Sequence, residues 1–423
     1  MTYHNAIKYI KASPDTTPSG ESSKKRLTAL LSALGDPQKK IKYLRLAGNN
    51  GKSVCAQMLT SILNEAKICN GSLTMPLHED LRENIKVNGA PLSIEETVRY
   101  TEQVIAAATS INEMAKKNGE PHFTPTAREI MICIALLQFV TKGCKLALVE
   151  CDHNTDDPSR FLPVPLSAVI CGAIPSDDTD EISKIRSYVQ RGINEITSVP
   201  QDQGAYEIIA KTCHSINCRL TISMPQNAKV SAINLRGTTF MHKGQEYTIR
   251  ICGRFQVANA ILAIESAEML TRNGYSISKE NIKKGLLNVT LPSKFEIISI
   301  SPTIIIDSTH SPIAIETVSD SMAEFKHITG NKVRLCLPYG DLCEQYVSAL
   351  EARGYEIESL IAYAEDTAAL PKASSYPITF CKSIKQTTAT ALSKLTADTL
   401  LLVSGISDFS DAIRYETLAS LGF

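Results

Sequence analysis

Tyr43-Leu44-Arg45-Leu46-Ala47-Gly48-Asn49-Asn50-Gly51-Lys52-Ser53 is the stretch on which the fold turns. Tyr43 to Ala47 is a short apolar run that reads as a strand, and Val54 to Ala66 carries apolar residues at helical spacing. Between them stands Gly-x-x-Gly-Lys-Ser. Glycines let a backbone turn tightly and aim N–H groups at phosphate oxygens. The following helix N-terminus adds a favourable dipole. Lys52 supplies a point charge for phosphates, and Ser53 is placed to approach a magnesium ion. The longer form of this loop has a further glycine where this chain has Leu46, so the match is to a shorter G-x-x-G-K loop. Gly48, Asn49, Asn50, Gly51, Lys52 and Ser53 are the candidate nucleotide-binding residues; the competing reading is a purely structural turn.

Working outward, Ile130 to Val140 is a continuous apolar run of good helix formers. Leu146–Glu150 reads as a buried strand ending in an acid, and Ala168–Cys171 as another. Residues 14–24, rich in Pro, Thr, Ser and Gly, read as a surface loop. Alternation of strand and helix implies a mostly parallel sheet covered on both faces. A break comes at Leu291-Pro292-Ser293-Lys294, after which Thr303–Asp307, Val333–Leu337, Leu360–Ala362 and Leu400–Val403 read as strands of a second, smaller α/β domain.

A chain of 423 residues is too long for one ordinary core, which agrees with two domains or more. Lys plus Arg, at 44, equals Asp plus Glu, at 44, which gives no support to nucleic acid or an anionic membrane as partner. No apolar segment reaches the roughly 18–20 residues that span a bilayer. The polar start Met1-Thr2-Tyr3-His4-Asn5 is not expected to act as a signal peptide. The 12 cysteines include no C-x-x-C pair and mostly sit in apolar runs, so buried free thiols in a reducing, cytoplasmic setting are expected.

Further motifs follow in order. They are Thr74-Met75-Pro76, Arg82-Glu83-Asn84-Ile85 running on to Asn88-Gly89, Glu129, Leu148-Val149-Glu150, and Gly253-Arg254-Phe255-Gln256-Val257-Ala258-Asn259-Ala260. Leu291-Pro292-Ser293-Lys294-Phe295-Glu296 and Asp307-Ser308-Thr309-His310-Ser311-Pro312 complete the series. Together with the short phosphate loop, the series resembles the folylpolyglutamate synthase and dihydrofolate synthase family of the Mur ligase superfamily, over nearly the whole chain.

The resemblance implies a P-loop, Mur-ligase-like ATPase domain with a parallel-rich sheet over residues 1–294 and a Rossmann-like C-terminal α/β domain over 295–423, with the active site in the cleft between. It implies an ATP-dependent carbon–nitrogen ligase: ATP turns a carboxylate into an acyl phosphate, and an amine such as that of an amino acid attacks it. Lys52 would bind phosphates, Glu150 and Ser53 a magnesium ion, and Gln256, Asn259, Lys294, Asp307 and His310 the nucleotide. Lys52, Glu150 and His310 are the catalytic candidates, and Arg82 and Glu129 the substrate candidates. Relatives suggest a monomer or weak oligomer.

The departures from the family pattern cluster at the chemistry. A magnesium-binding serine is replaced by Met75, which is no ligand for a hard cation. A lysine that relatives carbamylate aligns with Gln190, and a metal-binding histidine falls near Asp177 and Asp178, which retain oxygen ligands. A glycine-rich substrate loop is replaced by Cys151-Asp152-His153-Asn154-Thr155. Two readings stay open: a ligase with a metal site rebuilt from Asp152, Asp156, Asp157, Asp177 or Asp178, or a catalytically degenerate nucleotide-binding paralogue that serves as a regulatory or partner subunit.

Overall fold

The computed structural model describes residues 1–14, 20–48, 50–75, 77–151, 157–174, 191–308, 311–364 and 375–422. By packing, these divide into two compact units. The first holds Met1–Pro225 and Asn259–Leu286, the second Gln226–Ala258 and Leu287–Phe423.

In the first unit, eight strands form one sheet: β1 Lys42–Ala47, β2 Asn70–Leu73, β3 Ile85–Val87, β4 Ala90–Pro91, β5 Leu146–Glu150, β6 Ser167–Ile170, β7 Glu195–Ser198 and β8 Arg219–Ile222. Their order is β4-β3-β2-β5-β1-β6-β7-β8. Pairing from β2 through β8 is parallel, and only β3 and β4 are antiparallel additions at one edge. The expected strands at 43–47, 146–150 and 168–171 are present, as is the apolar helix, which spans Ala127–Thr141. That helix lies in one core with Leu73, Ala147 and Val149 of the sheet and with Ile10, Leu30, Tyr100 and Val104 of three other helices.

The expected loop at 14–24 is corrected in its described part: a helix spans Gly20–Ala33. The small polar residues at its start suggested a turn, but tertiary contacts override that preference. Leu27, Leu30 and Leu31 are buried. Ser23 Oγ donates to Glu129 Oε1 at 2.9 Å, and Arg26 Nε to the same carboxylate at 3.2 Å. Glu129 itself closes a capping box with Thr126 at the start of Ala127–Thr141.

The second unit contains a three-stranded antiparallel sheet of β9 Lys229–Asn234, β10 Gly237–His242 and β11 Gln245–Ile249, which the sequence patterns did not reveal. It also contains a six-stranded sheet of β12 Glu296–Ile300, β13 Thr303–Asp307, β14 Lys332–Pro338, β15 Glu356–Tyr363, β16 Ile378–Cys381 and β17 Thr399–Ser404, in the order β12-β13-β17-β14-β15-β16. All its pairings are parallel except β12 with β13. Leu235 and Cys252 join a core with Phe295, Ile315, Phe325 and Leu335, which is why residues 226–258 group with the C-terminal part of the chain. The architecture is thus a P-loop α/β unit with a parallel-rich sheet plus a smaller Rossmann-like α/β unit. Among the described residues no helix is long and apolar enough to cross a membrane.

Within the first unit, a buried acid ties β7 to the helix Arg254–Arg272. Glu195 is 3% exposed and accepts from Arg272 Nη2 at 2.6 Å, Arg272 Nε at 3.1 Å and Thr221 Oγ1 at 2.8 Å. Burial raises its pKa, but the hydrogen bonds from Arg272 and Thr221 outweigh that and hold it below the usual carboxylate value. A depressed folded-state pKa gives stability that is present above the unfolded value and is lost as pH falls through the folded one. Arg272→Ala is therefore expected to cost about 1.5–3 kcal/mol at pH 7. The gap from wild type should narrow as pH drops below the ordinary carboxylate range, as read by urea titration at several pH values.

Candidate functional site

The geometry of the glycine loop at residues 48–53 is set by three neighbouring parallel strands that end together. Leu46 of β1 pairs with Glu150 of β5, and Ala47 with Ile170 of β6. The backbone continues the ladder one step further: Cys151 N donates to Leu46 O at 2.9 Å and Cys171 N to Ala47 O at 2.7 Å. The loop therefore leaves the carboxyl end of a central strand, the edge at which open parallel sheets bind ligands.

Gly48 has φ +104°, and a Cβ placed there would stand 1.9 Å from the Cys171 carbonyl oxygen. Only glycine permits that approach. Gly51 has φ +77° and forms the N-cap of the helix Lys52–Glu65. Having no side chain, it leaves the first-turn amides of that helix uncapped by its own atoms, the arrangement that suits an anion. Lys52 is half-buried and folds back so that its Nζ donates to Gly48 O at 2.6 Å. Asn50 is exposed, Ser53 half-buried, and Asn49 lies outside the described residues.

Glu150 is 3% exposed at the end of β5. The thiol of Cys171 reports on the local field. It is hydrogen-bonded to Cys55 and buried, which push its pKa well above the ordinary value; Glu150 raises it further and Lys52 lowers it. Glu150 and Lys52 thus act on one small neighbourhood beneath the loop. The Ser53 hydroxyl and the Glu150 carboxylate are hard oxygen donors of the kind magnesium accepts. Asp177 and Asp178 lie outside the described residues, as do Asp152, His153 and Gln190. Among the described residues no group of three or more His, Cys, Asp or Glu side chains gathers as a metal site.

Asn259 belongs with the loop: its Oδ1 is 3.1 Å from where a Gly51 Cβ would be. In the second unit, Gln256, Lys294 and Asp307 form a cluster of their own. Gln256 Nε2 donates to Lys294 O at 3.5 Å, Lys294 Nζ donates to Ser308 Oγ, and Phe295 N donates to Asp307 Oδ2 at 2.8 Å. The turn that carries Lys294 is tight, with Ser293 at φ 52° and Phe295 at φ 57°. Ser293 N donates to Glu296 Oε2 at 2.9 Å, and Glu296 is in turn held by Arg414. His310 lies outside the described residues.

The two substrate candidates are engaged locally. Arg82 is forked onto Asp80, with Nη2 to Oδ2 at 2.6 Å and Nε to Oδ1 at 3.0 Å, and stands over the Tyr3 ring. Glu129 is fully buried and occupied by Ser23, Arg26 and the Thr126 and Glu129 capping bonds. Met75, 6% exposed, packs in the hydrophobic core of the first unit. Two residues not singled out from the sequence also shape the region. The backbone of Cys171 forms the floor under Gly48. Asn84, fully buried, clamps the segment around Met75: its Nδ2 donates to Thr74 O at 2.9 Å and its Oδ1 accepts from His78 N at 2.8 Å. Asn84 lay within a recognised motif, but nothing local marks Cys171.

No family model matches the chain. A curated protein of Halobacterium salinarum, called a probable bifunctional folylpolyglutamate synthase/dihydropteroate synthase, is 25% identical over 403 residues, covering 89% of this chain and 47% of that protein. The dihydrofolate synthase/folylpolyglutamate synthase of Bacillus subtilis is 25% identical over 320 residues, 71% of each. The folylpolyglutamate synthase fold is seen in the apo Lactobacillus casei enzyme, which superposes with a TM-score of 0.80 at 19% identity and full coverage of both chains. Over most of its length the chain is similar to folylpolyglutamate and dihydrofolate synthases, and it shares the fold of the solved synthase. It spans less than half the length of the bifunctional relatives, which are the first it matches. Other similar structures are complexes of the synthase with AMPPCP, and with AMPPCP and folate, at TM-scores of 0.79 and 0.77.

Gly48→Ala is expected to break the loop outright, because the new methyl would meet the Cys171 carbonyl, a backbone atom, at 1.9 Å. The variant should lose nucleotide binding by at least about 10-fold while the far-UV spectrum is kept, since a displaced loop need not unfold the sheet. Retained affinity, measured by titration calorimetry, would contradict the assignment of this loop.

Proposed function

We propose that the chain is an ATP-dependent acid–amino acid ligase of the folate type. The observation that carries this reading is the phosphate loop itself: two glycines in positive-φ conformations, with Lys52 folded over the turn at 2.6 Å from Gly48 O and the buried acid Glu150 at the end of the adjoining strand. The names of the relatives and the nucleotide and folate complexes of the structural neighbours support ATP as the nucleotide and a pterin-type carboxylate as one substrate.

In this reading a carboxylate oxygen of the acid attacks the γ-phosphorus of ATP, giving an acyl phosphate and ADP. The amine of the second substrate then attacks the acyl carbon and expels inorganic phosphate, leaving an amide and releasing a proton. The protein's contribution is positioning and charge. The ammonium of Lys52 exchanges its neutral carbonyl partner for phosphate oxygens, whose charge-assisted bonds are about twice as strong. The amides of the loop and of the first turn of Lys52–Glu65 face the same anion. A magnesium ion, held by Ser53 and Glu150 with Asp177 and Asp178 as further ligands, would supply charge neutralisation on the transferring phosphoryl group.

Asn50, Gly51 and Asn259 complete the loop side of the nucleotide site in this assignment. Gln256, Lys294, Asp307 and His310 are assigned to nucleotide binding by resemblance. Lys294 stands where relatives place an arginine and so offers charge without a two-pronged fork. Arg82 keeps a candidate role with substrate through its partly exposed side chain, whereas the full set of bonds on Glu129 suits an architectural role. All the cysteines among the described residues are free, and all but Cys69 are buried, which accords with the cytoplasmic location we assign.

A second reading is favoured by one observation. Met75, aligned with a magnesium-binding serine of relatives, is buried in a hydrophobic core and is not a replaced ligand awaiting a metal. That suits a nucleotide-binding paralogue without turnover. The deciding measurement is phosphate release from ATP and magnesium across a panel of pterins and amino acids. The ligase should release phosphate only with one acid and one amine together. Lys52→Ala should lower that rate by about 10²–10³-fold, the usual loss when one preorganised charge-stabilising donor is removed. ATP binding without release under any pairing would instead establish the non-catalytic paralogue.

A further inference from the structure

Cys69 and Cys144 stand apart from the other thiols of the chain. Their sulfurs are 3.6 Å apart, and Cys69 is the one cysteine that is partly exposed while the rest are buried. Cys69 immediately precedes β2, and Cys144 lies two residues before β5. These strands run parallel with Asn70 opposite Leu146, and Lys145 N donates to Cys69 O at 2.7 Å. Cys69 therefore lies level with Lys145, one residue past Cys144, so the two cysteines are diagonal neighbours; with strands about 4.8 Å apart and a rise of about 3.3 Å per residue, their Cα atoms stand roughly 6 Å apart, inside the separation that disulfides accept. Closing the sulfurs to a bond of about 2.05 Å needs a shift of only about 1.5 Å, within reach of side-chain torsions alone.

We propose that Cys69 and Cys144 are a redox-active dithiol that forms an intramolecular disulfide when the folded protein meets a low-molecular-weight disulfide. Cys69 is the entry point, because its sulfur is the accessible one. It attacks one sulfur of R–S–S–R, forming a Cys69–S–S–R mixed disulfide and releasing one R–SH. Cys144 then attacks the Cys69 sulfur and expels the second R–SH. In sum, two cysteine thiols and one R–S–S–R give one protein disulfide and two R–SH; the protein thiols are oxidised and the small disulfide is reduced. Burial, and then the neighbouring Cys69, push the Cys144 thiol up to about 12, so the first attack falls to Cys69, and Cys144 enters the second step by its proximity.

The bond would join the starting ends of β2 and β5. Glu150 and the phosphate loop sit at the opposite, carboxyl ends of β5 and β1, so the dithiol is separate from the candidate site and the inference does not rest on the ligase reading. Cys133, Cys151 and Cys336 are fully buried with thiols pushed up by burial, so the same oxidant should leave these three reduced.

The test is to incubate the folded protein with oxidised glutathione, block free thiols under acid quench, and map the digest by mass spectrometry. The expected product is a cross-linked peptide pair containing Cys69 and Cys144, lighter than the reduced pair by two hydrogens. Cys144→Ser should instead accumulate one glutathione on Cys69, and Cys69→Ser should take up none. A stable glutathione adduct on Cys69 in the wild-type protein, a cross-link between other cysteines in its place, or complete resistance of Cys69 to the oxidant would each overturn the proposal. Because the wild-type digest decides it, misfolding of either variant leaves the test intact.

Discussion

The contact between Gly48 and the backbone of Cys171 is the constraint on which the rest of the site depends. The carbonyl of Cys171 occupies the space that any side chain at position 48 would need. That closeness exists because β6 runs parallel to β1 and continues its ladder to Cys171 N. From there the loop turns at positive φ, Gly51 opens the helix, and Lys52 is delivered back over the turn. Glu150 arrives at the same edge from the other side of β1, by register with Leu46. A shift of one residue in either pairing would move the acid and the loop to opposite faces, since side chains alternate along a strand.

The first unit holds several buried polar groups that fasten its layers together. Glu129 gathers Ser23, Arg26 and a capping box, and so fastens the helix Gly20–Ala33 against Ala127–Thr141. Glu195 does the same between β7, Thr221 of β8 and Arg272. Asn84 pins the segment around Met75. Each buried acid or amide has partners, the condition for tolerating it in a core. In the second unit, Asp307 and Glu296 hold a turn with two non-glycine residues at positive φ, and that turn presents Lys294. Strain of this kind is usually kept where a side chain must be aimed.

Much of this was legible in the chain alone. The run from Tyr43 to Ser53 has a short apolar stretch, two glycines and a lysine at fixed offsets, so its strand, turn and helix are all local consequences of sequence. The apolar strands 146–150 and 303–307 were readable because buried parallel strands are continuous hydrophobic runs. The helix Gly20–Ala33 and the sheet of β9 to β11 were not. The first begins with small polar residues whose preference is overridden by Glu129, more than a hundred residues away. The second consists of short strands with mixed exposure and no clean alternation.

What the sequence determined by itself, then, is the chemistry on offer: a Gly-x-x-Gly-Lys-Ser turn between a strand and a helix, an acid at a strand end, and hard oxygen donors. These depend on residue type and short spacing. Tertiary structure alone decided which of them meet. It brought Asn259 to Gly51 and Cys171 beneath Gly48, and it drew Gln256, Lys294 and Asp307 into one cluster. It joined Glu129 to Ser23 and Arg26 and set two thiols, 75 residues apart in the chain, at 3.6 Å. Such contacts follow from strand order and register, which are fixed by the packing of whole layers and leave no mark on the neighbouring residues.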